Sequence, residues 1–148
     1  MGDITKNFSF SEFQHSDTAI QRGIDNTIPE EAKANIQDLV EDIVQPIRDA
    51  YGKPITVTSG YRCEALNAAV GGAATSAHTK GLACDLVPTD GDTAGFIDFA
   101  ISFISRARIP FDQLIDEHNK AGARWLHVGY KSLQGAQRGI ILTGYEKR

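Results

Sequence analysis

Ser76-Ala77-His78-Thr79-Lys80-Gly81-Leu82-Ala83-Cys84-Asp85 reads S-x-H-x-x-G-x-A-x-D, and Trp125-Leu126-His127-Val128 follows far downstream. Two imidazoles and one carboxylate form the donor set of a catalytic zinc site, which takes three protein ligands and keeps a fourth position open. His78, Asp85 and His127 are the candidate ligands. The spacing from His78 to Asp85 is too long for adjacent turns of one helix. The segment predicts a loop that turns at Gly81, where a positive φ carries no Cβ penalty, and then enters a strand over Leu82–Val87. On that strand Ala83, Asp85 and Val87 share one face, and Cys84 and Leu86 take the other. Asp85 then lies on the site face, and Cys84 is turned away from any metal.

Working outward, Trp125-Leu126-His127-Val128-Gly129-Tyr130 alternates as a half-buried strand does. Phe111-Asp112-Gln113-Leu114-Ile115-Asp116-Glu117 reads as a second strand, and the polar stretch between them as a hairpin loop. Pairing the two puts Gln113, Ile115 and Glu117 on a face with Trp125, His127 and Gly129, and sends Leu114, Leu126 and Val128 to the core. Glu117 then falls near His127, where a general base belongs. Asp116 is the alternative base, although alternation turns it to the opposite face.

The rest of the chain supplies the frame. Pro29 to Tyr51 predicts a helix with Ala32, Ile36, Leu39, Val40, Ile43 and Ile47 on one stripe, Gly52 as its stop and a kink at Pro46. Ile55–Thr58 is a β-branched strand that delivers the Ser59-Gly60-Tyr61-Arg62 turn. Helices are predicted over Glu64–Val70 and Thr93–Ala107, and a last strand over Gly139–Thr143. The fold class is α+β: a small antiparallel sheet with flanking helices. The length fits one domain over residues 1–148.

Fifteen basic and nineteen acidic residues give a formal net charge of −4, without a basic cluster. That balance argues against nucleic-acid binding, where phosphate neutralisation dominates affinity. No apolar run approaches the ~20 residues of a membrane helix, so no membrane insertion is expected. The N-terminus lacks a charged segment followed by an apolar one, which predicts synthesis in a cytoplasm without a signal peptide. In that compartment Cys63 and Cys84 stay reduced.

Ser59-Gly60-Tyr61-Arg62, Leu66-Asn67-Ala68-Ala69-Val70-Gly71-Gly72, the Ser76–Asp85 block and Trp125-Leu126-His127-Val128 occur here in order. In this ordered set the chain resembles the zinc D-Ala-D-Ala carboxypeptidase and dipeptidase family. Its broader group includes phage L-alanyl-D-glutamate endolysins and the hedgehog domain. Asn7-Phe8-Ser9-Phe10-Ser11-Glu12-Phe13 and Arg22-Gly23-Ile24-Asp25-Asn26 look like the small phage and bacterial members. The resemblance implies a hedgehog/D-Ala-D-Ala peptidase-like fold with Zn²⁺ on His78, Asp85 and His127. It also implies Arg62 beside the scissile carbonyl and Ser76 in contact with substrate. Many members carry a catalytic glutamate or histidine three residues before the last ligand, where this chain has Arg124. Arginine stays protonated and cannot act as a base, and Glu117 matches the glutamate of the phage-type members.

The implied function is cleavage of peptide bonds in peptidoglycan stem peptides by a monomeric phage endolysin or virion-associated lytic enzyme. It would reach the cell wall after holin release or within a virion. The alternatives are a D-Ala-D-Ala carboxypeptidase or dipeptidase of cell-wall metabolism, and a non-catalytic zinc-bearing binding module. Retention of Arg62 and Glu117 favours an enzyme.

Overall fold

A computed structural model of the chain describes residues 2–146. Two short helices open it, α1 (Phe10–Gln14) and α2 (Asp17–Arg22). The predicted long helix follows as α3 (Glu30–Leu39) and α4 (Gln45–Tyr51), joined by a wider turn over Val40–Val44. There the Gln45 N–H reaches back to the Val40 carbonyl, one residue further than an α-helix allows. Pro46 supplies the reason: it has no N–H to donate, and its ring crowds the carbonyl of Asp42. The strain expected in the last turn is therefore absorbed one turn earlier. The apolar stripe survives, with Ala32, Ile36, Leu39, Ile43 and Ile47 all buried.

Strand β1 (Ile55–Ser59) leads into α5 (Glu64–Ala69). A single 3₁₀ turn at Ala77–Lys80 ends on Gly81 at φ 72°, the left-handed conformation glycine tolerates best. Strand β2 (Ala83–Pro88), α6 (Thr93–Ala107), β3 (Gln113–Asn119), β4 (Arg124–Gly129) and β5 (Ile140–Glu146) complete the order. Asp92 caps α6 by accepting the Gly95 N–H at 3.1 Å.

The five strands lie in the order β1-β2-β4-β3-β5. The first three pairings are antiparallel, as expected. The last is not: β5 runs parallel to β3. The hairpin register matches the alternation, with Gln113 opposite Gly129, Ile115 opposite His127 and Glu117 opposite Trp125. One face of the sheet sends Cys84, Leu86, Leu114, Leu126 and Val128 into a core shared with Phe96, Ile97 and Ile104 of α6 and with the α3–α4 stripe. Burying that face against helices is the main source of stability available to such a layer. The other face carries the site.

Candidate metal centre and its cleft

Asp85 and His127 are direct cross-strand partners on β2 and β4. Sheet pairing therefore brings together two residues that are remote in sequence. His78 arrives from the 3₁₀ turn that Gly81 reverses into β2. Donor atoms of His78, Asp85 and His127 all lie within 4.8 Å of one another, and the three residues are 3%, 4% and 9% exposed. Asp85 Oδ1 is 3.1 Å from His127 Nδ1 and 3.4 Å from His78 Nε2.

The local chemistry fits a cation. His78 Nδ1 is 2.7 Å from the Gly60 carbonyl, which can only accept, so the ring proton sits on Nδ1. Burial holds His78 below the ordinary imidazole pKa, against the pull of Asp85. Its Nε2 faces a carboxylate oxygen of Asp85 at 3.4 Å. A metal ion could take both as donors, and the carbonyl behind the imidazole fixes the ring as outer partners of metal ligands do. Asp85 is burdened by burial, yet the neighbouring imidazoles hold its carboxyl well below the usual carboxylate range. Burial also works against a charged His127, but the hydrogen bond and charge of Asp85 outweigh it and raise the imidazole. The centre is thus a buried carboxylate between two rings that can hold a metal ion.

Arg62 sits beside it. Its backbone N–H donates to the His78 carbonyl at 3.1 Å, and its Nη2 is 3.9 Å from Asp85 Oδ2. The turn that carries it is braced from the N-terminal segment. Tyr61 N–H donates to Phe13 O at 2.8 Å, Asn26 Nδ2 donates to Gln14 O and Tyr61 O, and Asn26 Oδ1 accepts the Cys63 N–H. Asn26 carries no signal of this role in sequence, because a lone Asn in a loop reads as an ordinary turn residue.

Glu117 lies on the same face of the hairpin as His127, with Oε1 3.7 Å from Nδ1. Asp116 turns to the other face and takes both Arg124 Nε at 2.9 Å and Arg124 Nη2 at 2.7 Å. That pairing places Arg124 away from the centre. Ser76 lines the cleft, and its Oγ accepts the His78 N–H at 3.3 Å. Cys84 points into the core, and both cysteines are free thiols.

These groups open onto a cleft of about 570 Å³. One rim is the segment after α5, Gly71 to Ala77; the other is Ser132 to Gln134, between β4 and β5. Gln113 and Ile115 extend the wall along β3 beyond Glu117. Sequence reading placed Gln113 and Ile115 on this face but had no means of finding the second rim, whose residues show no periodicity.

A family model described as Peptidase M15 matches residues 6–128 of the chain. No curated protein matches the chain.

Proposed function

The chain belongs to the peptidase M15 family, and from that membership together with the cleft we propose that it is a zinc peptidase cleaving peptide bonds in the stem peptides of peptidoglycan. The observation that carries this reading is the grouping of His78, Asp85 and His127 with Glu117 and Arg62 at one cleft. His78 Nε2, an Asp85 oxygen and His127 Nδ1 would hold the ion. Bound there, Zn²⁺ supplies Lewis acidity, which polarises a carbonyl and makes water a usable nucleophile at neutral pH.

The protein's own groups do the rest. Glu117 takes a proton from the attacking water and passes it to the leaving amine. Arg62 offers its guanidinium to the negative charge that builds on the carbonyl oxygen. Ser76 contacts the peptide from the rim. The likeness to small phage members supports a monomeric endolysin or virion-borne lytic enzyme acting at the cell wall.

The test is digestion of purified sacculi, with new peptide termini identified by mass spectrometry. New termini within the stem are expected. Release of free D-alanine alone would identify a D,D-carboxypeptidase instead, and an unchanged muropeptide profile would remove the peptidoglycan reading.

A further inference from the structure

Arg62 is only 5% exposed and still lines the cleft. A long side chain with several rotatable bonds must be held to present one face of its guanidinium. Nε donates to Ser59 Oγ at 3.3 Å, and Nη1 donates to Asn67 Oδ1 at 3.0 Å. Asn67 is itself 4% exposed, and its amide is used at both ends: Nδ2 donates to the Ala73 carbonyl at 2.8 Å. Its backbone carbonyl accepts the Gly72 N–H at 2.9 Å. One residue of α5 therefore ties the guanidinium to the rim that carries Ser76. Gly72 is shaped around this contact, since a Cβ there would lie 2.8 Å from Arg62 Nη1 and overlap the Asn67 amide.

We propose that Asn67 is a positioning residue for Arg62, which fixes the plane of the guanidinium and, being neutral, adds no second carboxylate to that of Asp85 beside it. The proposal rests on the reading of Arg62 given above. The choice of amide follows from what surrounds it. Aspartate could accept the same Arg62 bond, and more strongly. It has no N–H for Ala73, however, so a carboxylate oxygen would face a carbonyl oxygen at 2.8 Å. It would also set a second carboxylate, beside that of Asp85, against the charge that a developing oxyanion needs. Asparagine gives one acceptor to the guanidinium and one donor to the rim.

The experiment compares zinc-loaded Asn67→Ala and Asn67→Asp in the wild-type and Arg62→Ala backgrounds, with kcat and KM measured on muropeptides from muramidase-digested sacculi. Zinc content and melting temperature are followed, together with the ¹⁵N NMR signals of the Arg62 guanidinium. Asn67→Ala is expected to lower kcat by about 10- to 100-fold, the scale of a misplaced catalytic group, with KM and zinc content little changed. In the Arg62→Ala background it should cost little more, because the group it positions is already gone. Guanidinium rotation should become faster in Asn67→Ala. Asn67→Asp should hold the guanidinium and still turn over slowly.

Equal fractional losses in both backgrounds would overturn the proposal and assign Asn67 to the fold. Unchanged guanidinium signals in Asn67→Ala would overturn it as well. If Arg62→Ala alone proves harmless, the catalytic reading of Arg62 fails, and the NMR signals then decide the positioning role by themselves. Should Asn67→Ala not fold, the same comparison is made with Asn67→Asp, where wild-type turnover would overturn the argument from charge.

Discussion

Glu117 faces His127 at 3.7 Å, while its neighbour Asp116 holds Arg124 on the opposite side of the sheet. In the proposed mechanism only Glu117 is placed to act as the base. Glu117→Gln keeps the shape and loses the base, so it should retain zinc while kcat falls by about 10²- to 10⁴-fold. Asp116→Asn should leave kcat near wild type and lower stability by no more than about 1 kcal/mol, as for a partly exposed ion pair. Parallel kinetics and thermal melts of the two variants check this, and reversed phenotypes would assign the base to Asp116. At the centre itself, His127→Ala removes one of three donors and should strip most of the bound metal, as elemental analysis of the purified variant would show. Full occupancy in that variant would exclude His127 as a ligand.

Among the elements, the hairpin was the most legible in sequence, because a period of two fixes which residues share a face and a slip by one would bury charges. That alternation alone puts Glu117 and His127 on one face and sends Leu114, Leu126 and Val128 to the core. The apolar stripe of the long helix was equally plain, but the wide turn at Val40–Val44 was not, because Pro46 announces strain without saying which turn absorbs it. The helices α1 and α2, of five and six residues, are too short to show a periodicity. Strand β5 was visible as an apolar run, and its parallel direction was not. Ile141 and Leu142 are both substantially exposed, so no inward face sets its orientation. Besides the ladder with β3, a clamp fixes where β5 begins: Arg138 Nε and Nη2 donate to the Asp112 carboxylate at 2.7 and 2.9 Å, just ahead of the strand. These bonds hold the Asp112 carboxyl below its ordinary value of 3.8. A depressed carboxylate contributes stability in full above its unfolded value and loses it as pH falls through the lower folded one. Asp112→Asn should therefore cost about 1–2 kcal/mol at neutral pH, and the difference from wild type should vanish in acid below that folded value. Denaturant melts across this range would check it; a deficit that persists undiminished in acid would mean that the charge is not the source.

At the scale of the whole molecule, the candidate ligands come from a 3₁₀ turn and two central strands, so a bound ion would join segments that the unfolded chain holds far apart. Binding to the folded state alone should stabilise it by about 2.7 kcal/mol at a free zinc concentration one hundred times Kd. Chelation should then lower the melting temperature, and added zinc should restore it in wild type but not in His127→Ala; identical melts with and without chelator would count against a metal that is part of the fold. Cys84 lies on the reverse side of the same strand as Asp85, fully buried, and burial pushes its thiol well above the usual value. Cys63 is only half-buried. The chain thus carries its own stopwatch. An alkylating reagent should modify Cys63 before Cys84, which waits until β2 leaves the sheet, and the labelling rate of Cys84 times the opening of the strand that carries the candidate metal-binding carboxylate.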